Sequence, residues 1–161
     1  MKPELLAPAG NFSKLKTAIY YGADAVYVGG KKFSLRAFSD NFSDEELKQA
    51  TDFVHQSGKK IYVTVNIYAK NKDLAEANGY FKYLESIGVD GAIVSDPGLI
   101  AIAKRVAPKL PLHLSTQSNT LNVESAKFWE SQGITRLVLA RELSLSEIEH
   151  ITSNTSCERG S

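Results

Sequence analysis

Apolar residues occur along the chain as short continuous runs that alternate with longer amphipathic stretches. Four times, an amphipathic stretch ends at a glycine, and an apolar run rich in Val and Ile follows at once. These junctions are YYGADAVYVGG (20–30), QSGKKIYVTVN (56–66), SIGVDGAIVSD (86–96) and SQGITRLVLAR (131–141). Glycine accepts the left-handed conformation past a helix end, and continuous apolar runs are typical of strands buried on both faces. The pattern therefore predicts one helix–turn–strand unit repeated along the chain.

The amphipathic stretches carry the start signals of helices. Ser43 with Glu46 and Ser144 with Glu147 match the capping box, and Asp73 occupies the position of a cap. The apolar residues between these signals recur at helical spacing. We predict helices near residues 13–21, 44–57, 73–87, 98–106, 122–132 and 145–151.

The apolar runs predict six strands that alternate strictly with these helices. Their approximate positions are 4–7, 25–29, 60–66, 91–95, 112–116 and 136–140. Such alternation in short units predicts a parallel sheet with right-handed crossovers. An open doubly wound sheet is the alternative, although no GxGxxG motif follows the first strand, which argues against its dinucleotide-binding form.

The length of the chain bears on how much of a barrel it can form. A complete (β/α)₈ barrel needs about 250 residues, and this chain has 161. The predicted fold class is therefore α/β, a (β/α)₈ TIM-type barrel truncated after about six βα units. We assign residues 1–152 to this partial barrel. Residues 153–161 lack periodicity and are expected to form a disordered tail, with Arg159-Gly160-Ser161 interpreted as a hypothetical vector remnant.

Composition and charge restrict the cellular location and the partners of the protein, but they do not indicate its reaction. The formal net charge is +1, so there is no global attraction to nucleic acid or to an anionic membrane. The N-terminal residues lack an apolar signal segment, and no uncharged run approaches the ~18 residues of a membrane span. The single cysteine, Cys157, cannot form a disulfide within the chain. We expect a cytoplasmic protein with no membrane partner.

In an α/β barrel, the chemistry takes place on the loops that follow the strands. This rule selects polar residues at the predicted strand ends as substrate-binding candidates. They are Asn11, Arg36, Asn41, Asn66, Asp96, Gln117, Asn119, Arg141 and Glu142.

Several of these candidates have a structural alternative. Arg36 could bind a carboxylate or phosphate through two parallel hydrogen bonds. Alternatively, the phenylalanines of its loop, Phe33, Phe38 and Phe42, would only hold that loop against the mouth of the barrel. Asn66 and Gln117 end apolar strands, where they would bind either a substrate or the backbone of a loop. Asp96 precedes Pro97 at a predicted helix start, which favours a capping role over substrate binding. Arg141 and Glu142 would alternatively form a local ion pair.

No motif in the sequence predicts a hydrolytic apparatus or a metal site. There is no G-x-S-x-G elbow and no HExxH motif. His55 and His150 fall within predicted helices, and His113 falls inside the fifth strand between Leu112 and Leu114. None has a Cys, Asp or Glu at metal-ligand spacing. The sequence alone therefore assigns no catalytic residue and no metal ligand.

Several segments resemble one known family. They are ELLAPAGN (4–11), GADAVYVG (22–29), the loop with Phe33, Arg36, Asn41 and Phe42, VNIY (65–68), GVDGAIVSDPG (88–98), HLSTQSN with Asn122 (113–122) and LVLARELS (137–144). Together they resemble the N-terminal barrel of the collagenase-like U-32 peptidase family. The likeness extends from residue 2 to about residue 151.

This resemblance implies a function that differs from the family's name. Although labelled proteases, its better-supported members are similar to oxygen-independent hydroxylation proteins. These act on wobble uridine in tRNA, on a ribosomal RNA cytidine or on ubiquinone precursors, with prephenate implicated as the oxygen source for the RNA reactions. Such members hold an iron–sulfur cluster through four cysteines that follow the sixth strand, and some work with a paralogous subunit.

The resemblance leaves three hypotheses for function. The first is tRNA uridine hydroxylation, with the cluster in the full-length protein, because one cysteine cannot hold a four-cysteine cluster. This fragment would then have no cofactor and no activity of its own. The second is a collagenase-like peptidase, and the third is a non-catalytic partner of a paralogous subunit. With strands one and six as open edges, we also expect the fragment to self-associate.

Overall fold

Strands and helices alternate along a computed structural model that describes residues 3–35 and 41–160. The strands are β1 (Leu6–Pro8), β2 (Ala25–Gly29), β3 (Lys60–Val65), β4 (Gly91–Val94), β5 (Leu112–Leu114), β6 (Arg136–Val138) and β7 (Glu158–Gly160). The helices are α1 (Phe12–Tyr20), α2 (Asp44–Gln56), α3 (Asn71–Ile87), α4 (Pro97–Val106), α5 (Val123–Ser131) and α6 (Leu145–Ser153). A 3₁₀ turn, Thr116–Ser118, follows β5. All six predicted strands and helices are present.

The seven described strands form one parallel sheet in the order β1-β2-β3-β4-β5-β6-β7. Each strand pairs in parallel with the next one in sequence, as in the register of Leu6 with Ala25 and of Tyr62 with Gly91. The order never reverses, so the sheet is wound in one direction and is not doubly wound. The predicted TIM-type α/β architecture is confirmed.

A contact between the two sides of the sheet shows that it curls. A guanidinium nitrogen of Arg136, in β6, lies 2.8 Å from a carboxylate oxygen of Glu4, two residues before β1. Neighbouring strands are about 4.8 Å apart, so a flat sheet would separate β1 from β6 by roughly 24 Å. The described sheet is therefore an arc of a barrel, with an interior onto which β1 and β6 both face.

The C-terminal segment differs from its prediction. Residues 153–161 were expected to lack regular structure, but Glu158–Gly160 pairs with β6 in the register of Arg136 with Glu158. The helix before it continues to Ser153. Backbone pairing to a neighbouring strand requires no apolar periodicity, so a polar segment as short as this one gives no signal in sequence. As a result, β1 and β7, not β1 and β6, are the edges of the described sheet.

The backbone conformations at the helix ends are those that the sequence predicted. The four junction glycines all have positive φ, at 95° for Gly22, 68° for Gly58, 77° for Gly88 and 84° for Gly133. Both predicted capping boxes, at Ser43 and at Ser144, are formed.

The predicted cap at Asp73 needs correction. Helix α3 begins one turn earlier, with Lys70 at the N-cap position. The Asp73 carboxylate reaches back and accepts the Lys70 backbone N–H at 2.7 Å.

The two faces of the sheet are buried differently. Alternate residues such as Val26, Val63 and Leu114 are completely buried against the helices, in the main apolar core. The inner face holds a small second cluster in which Tyr62 packs with Ala25 and Ile93. The large apolar core lies outside the sheet, which leaves the barrel interior for polar groups. No helix in the described part of the chain is long and apolar enough to cross a membrane.

Candidate functional site

Because every strand is parallel, the C-terminal ends of all the strands meet at one end of the arc, here called the mouth. Two candidates at the mouth cap helices. The Asn11 side chain accepts the Lys14 backbone N–H at 2.9 Å, and the Asp96 side chain accepts that of Leu99 at 2.9 Å. The capping alternative for Asp96 is confirmed, and Asn11 performs the same role at α1.

Asn66, at the end of β3, holds the loop that follows β2. Its backbone N–H donates to the Phe33 carbonyl at 2.9 Å, and its side-chain oxygen accepts the Leu35 N–H at 3.2 Å. A Ser34–Thr64 hydroxyl contact at 3.3 Å adds a second tie. The alternative interpretation, in which Asn66 binds loop backbone, is therefore confirmed. Asn66 supports the site by positioning the neighbouring loop.

The turn that Asn66 holds has an unusual backbone. Phe33 has a φ of 61°, a left-handed conformation that bulky side chains rarely adopt. Its ring is buried and stacks on Tyr80 of α3, with ring centroids 5.1 Å apart. Such strain persists only where surrounding contacts overdetermine it, and it concentrates at functional sites. The turn at the mouth between β2 and β3 is thus tightly constrained.

Both ends of this loop return to β2. Phe42 N–H donates to the Gly29 carbonyl at 2.9 Å, and Lys31 N–H donates to the Phe42 carbonyl at 2.9 Å. The Asn41 side-chain oxygen is 3.0 Å from where a Cβ on Gly29 would lie, so glycine is needed there. Arg36 lies outside the described residues.

The remaining candidates lie apart from this loop. Gln117 and Asn119 are exposed around the 3₁₀ turn, where Asn119 has a φ of 48°. Arg141 and Glu142 are exposed after β6, and within the described residues they form no ion pair with each other. The structure thus brings Asn41 and Asn66 to one loop and distributes the other described candidates around the rim.

Sequence reasoning missed a polar cluster at the opposite end of the barrel interior. This floor cluster consists of Glu4, Tyr62, His113 and Arg136. Tyr62 donates its hydroxyl to Glu4 at 3.0 Å, and Arg136 donates to that hydroxyl at 3.1 Å and to Glu4 at 2.8 Å. The His113 ring meets the Tyr62 ring edge-on, with centroids 4.7 Å apart. The sequence did contain one signal for this cluster, because His113 is a polar residue within an otherwise apolar strand.

The surroundings of the floor cluster alter its ionisation. Burial, reinforced by Glu4, raises the pKa of Tyr62 to about 12, so the phenol is a neutral donor at physiological pH. Burial alone would raise the pKa of Glu4, but hydrogen bonds from Arg136 and Tyr62 and the charges of Arg136 and Lys60 lower it overall. The cluster therefore contains a stable carboxylate–guanidinium pair.

The described residues contain no group of three or more His, Cys, Asp and Glu side chains that could hold a metal ion. His55 pairs with Asp90 at 2.8 Å, but at the N-terminal end of the strands, away from the mouth. The thiol of Cys157 donates to the Ile134 carbonyl at 3.2 Å, and burial raises its pKa. One protonated cysteine does not provide the ligands of an iron–sulfur cluster, so these residues do not fit that group.

Comparison with known proteins identifies the family. The family model for peptidase family U32 matches residues 10–159, nearly the whole chain. The chain belongs to this family. A solved U32 peptidase structure superposes with a TM-score of 0.80 at 16% identity, over 98% of this chain and 67% of that one. The U32 fold thus agrees with the observed barrel arc.

Curated relatives of this U32 chain carry names in RNA modification. It is 46% identical over 157 residues to tRNA hydroxylation protein P1 of Bacillus subtilis (strain 168), covering 98% of this chain and 37% of the relative. It is 45% identical over 150 residues to tRNA hydroxylation protein P of Escherichia coli (strain K12), covering 93% of this chain and 33% of the relative. The chain thus spans about a third of the length of these relatives.

Proposed function

We propose that this chain forms the N-terminal barrel part of a protein that hydroxylates tRNA at the wobble uridine, without molecular oxygen as the oxygen donor. The observation that carries the proposal is the 46% identity to a tRNA hydroxylation protein across 98% of the chain. The matched region covers 98% of the chain and so includes its mouth loops, and the mouth is where a barrel binds its substrate. A cytoplasmic location accompanies the proposal, since tRNA is the substrate.

The cofactor and co-substrate belong to the same proposal. An iron–sulfur cluster would be held outside residues 1–161, because the chain contains one cysteine and a cluster of this kind needs four. Prephenate is the proposed oxygen source. The part described here would bind and orient the RNA, and the fragment alone would be inactive.

The test is nucleoside mass spectrometry of tRNA from cells with and without the full-length gene. We expect 5-hydroxyuridine derivatives to disappear on deletion and to return with the full-length gene, but not with residues 1–161 alone. Unchanged tRNA in a strain that lacks every paralogue would refute the proposal. Ribosomal RNA from the same cells tests whether a cytidine is modified instead.

The second candidate function is a peptidase, which the family's name favours. A protease needs a nucleophile with a base, or a metal. The nearest arrangement is the His55–Asp90 pair, yet among the described residues His55 hydrogen-bonds no serine, threonine or cysteine side chain. Gelatin cleavage by metal-defined full-length protein, abolished by a point mutation at the mouth, would support this alternative.

Assembly forms a further part of the proposal. Strand β1 is an edge of the described sheet, and the side chains of Leu5, Tyr20 and Tyr21 are 57%, 85% and 80% exposed. Unpaired edges and apolar surface favour association. We expect residues 1–161 to self-associate through β1 and β7, or to bind a paralogous subunit. A monomer that persists on concentration in light scattering would contradict self-association.

A further inference from the structure

The loops after β2 and β3 form one continuous stretch of the mouth. This β2–β3 rim consists of Lys31, Lys32, Tyr68, Lys70 and Lys72. The hydrogen bond from Asn66 to Phe33 joins the two loops at 2.9 Å. Lys32 directly precedes Phe33, and Tyr68 lies two residues past Asn66. The Cα of Lys32 therefore lies within about 8 Å of the Cα of Phe33, and the Cα of Tyr68 lies within about 8 Å of the Cα of Asn66.

Tyr68 differs from the other described aromatic residues of these two loops. Its side chain is 78% exposed, whereas Phe33 and Phe42 are buried beneath the loop. A large aromatic side chain that faces solvent contributes nothing to the core. Exposed aromatic rings beside cations are the usual platform on which single-stranded nucleic acid stacks its bases.

The charges around Tyr68 favour a phosphate backbone. Lys31, Lys32, Lys70 and Lys72 are all exposed, and among the described residues none forms an ion pair within 4.0 Å. Within residues 3–35 and 41–160, the lysines that form ion pairs are others, such as Lys48 with Asp52 and Lys59 with Asp24. The ammonium groups of the rim are thus available to an external anion.

Two acidic residues near these lysines, Glu46 and Asp73, are engaged at helix starts. A Glu46 oxygen accepts the Ser43 N–H at 2.7 Å, and an Asp73 oxygen accepts the Lys70 N–H at 2.7 Å. The hydrogen bonds from Ser43 lower the pKa of Glu46, and the nearby charge of Lys31 adds to this effect. Carboxylates at these positions offset the positive ends of the helices. They leave most of the rim's lysine charge facing solvent.

We propose that the β2–β3 rim binds the single-stranded loop of an RNA, with one base stacked on Tyr68 and neighbouring phosphates contacting Lys70 and Lys72. This inference rests on the proposed function for its substrate class and deepens it by naming the residues that receive the RNA. A rigid rim matters for this role, because the Asn66–Phe33 tie fixes the distance between the stacking ring and the cations of the adjacent loop. Asn66 is accordingly a positioning residue for the rim.

The test measures RNA binding directly, without any chemistry. Purified chain is titrated into a fluorescein-labelled anticodon stem-loop RNA that carries uridine at the wobble position, and the fluorescence anisotropy is followed. Tyr68→Ala should weaken binding about tenfold, because stacking on one aromatic ring contributes at about that level. Tyr68→Phe keeps the ring and should bind like the unmodified chain. Circular dichroism of each variant checks that it is folded.

Matched variants at the opposite end of the barrel provide the control. Tyr20 and Tyr21 are also exposed aromatic residues, and Lys104 and Lys109 are exposed lysines at that end. Their alanine variants should bind the RNA unchanged. By contrast, each of Lys70→Ala and Lys72→Ala should reduce the slope of log affinity against log salt concentration by about 0.7.

Three outcomes would overturn the inference: no binding by the unmodified chain, unchanged binding by folded Tyr68→Ala, or equal losses in the control variants. These outcomes are separable from failure of the proposed function. If full-length protein with Tyr68→Ala restores normal tRNA hydroxylation in cells, the rim proposal fails and the function stands. If the stem-loop binds at Tyr68 but gene deletion leaves tRNA unchanged, the rim stands and the hydroxylation proposal fails.

Discussion

Glu4 and Arg136, which are 132 residues apart in sequence, form an ion pair of 2.8 Å across the interior of the barrel. The Arg136 side chain is only 9% exposed, and Tyr62 bonds to both partners. The pair connects the segment before β1 to β6, and it therefore stabilises the curled form of the sheet. It lies at the end of the barrel where residues serve stability, opposite the mouth.

Removing one partner of this pair should destabilise the fold. Glu4→Gln removes the carboxylate that faces the buried Arg136 guanidinium, so we expect the free energy of unfolding to fall by about 3 kcal/mol. Lys60→Met is the control, because Lys60 lies 3.5 Å from Glu4 and is 55% exposed, and its loss should cost less than about 1 kcal/mol. Urea unfolding of both variants measures the difference. Equal effects would show that burial does not strengthen the Arg136 pair.

The same pair should make stability depend on acidity. The pKa of Glu4 in the folded chain lies below its usual value of 4.5. Its contribution to stability is therefore complete above that value and is lost as the pH falls through the lower pKa of the folded state. The difference in unfolding free energy between the unmodified chain and Glu4→Gln should be constant near neutral pH and shrink below about pH 4.5. A difference that stays constant down to pH 3 or so would contradict this assignment.

Asn66 should control the order of the neighbouring loop more than global stability. Asn66→Ala removes the acceptor of the Leu35 N–H, which should cost about 1 kcal/mol. Hydrogen exchange at Leu35 should accelerate, while exchange in β4 and β5 stays unchanged. Gln117→Ala, an exposed mouth residue, is the control. Uniform acceleration across the sheet would mean that Asn66 acts on the whole fold.

Gly30 and Tyr80 should show coupled effects. The Tyr80 hydroxyl is buried, has no hydrogen-bond partner in the described part of the chain, and lies 2.3 Å from where a Cβ on Gly30 would be. Gly30→Ala should cost about 1–3 kcal/mol through this overlap. Tyr80→Phe should be neutral or slightly stabilising, because it removes an unsatisfied buried hydroxyl.

Combining the two substitutions tests the contact itself. In the double variant, Tyr80→Phe should restore much of the stability lost in Gly30→Ala, which gives a favourable coupling energy in a double-mutant cycle. Thermal unfolding of the four proteins provides the cycle. Strict additivity would falsify a direct contact between the two residues.

Much of the fold could be predicted because its signals are local. A glycine such as Gly58 or Gly133 ends a helix through its own backbone freedom, and Ser43 caps one through a residue three positions away. The run GAIV (91–94) is apolar and buried at every position because both faces of the strand are covered. The predicted boundaries that were wrong had weak local signals, since β7 is short and polar and the N-cap of α3 is a lysine, Lys70.

The candidate site was predicted only as a set of strand ends. The position of each strand end followed from the sequence, and the cap at Asp96 followed from Pro97. The partner of each side chain did not, because Asn66 meets Phe33 and Leu35 only once β2 and β3 are paired. The floor cluster was not found for the same reason, since Glu4, Tyr62 and Arg136 are scattered along the chain.

The sequence by itself thus determined the succession of strands and helices, the parallel sheet and the end of the barrel that carries the candidate residues. These features depend on apolar periodicity, glycine and helix caps, all of which act over a few residues. Only the tertiary structure decided which polar groups bind each other, that Glu4 reaches Arg136, and that Tyr68 is left exposed beside lysines with no ion pair in the described part of the chain. Those outcomes depend on the curl of the sheet, which brings distant residues together at distances that no local pattern encodes.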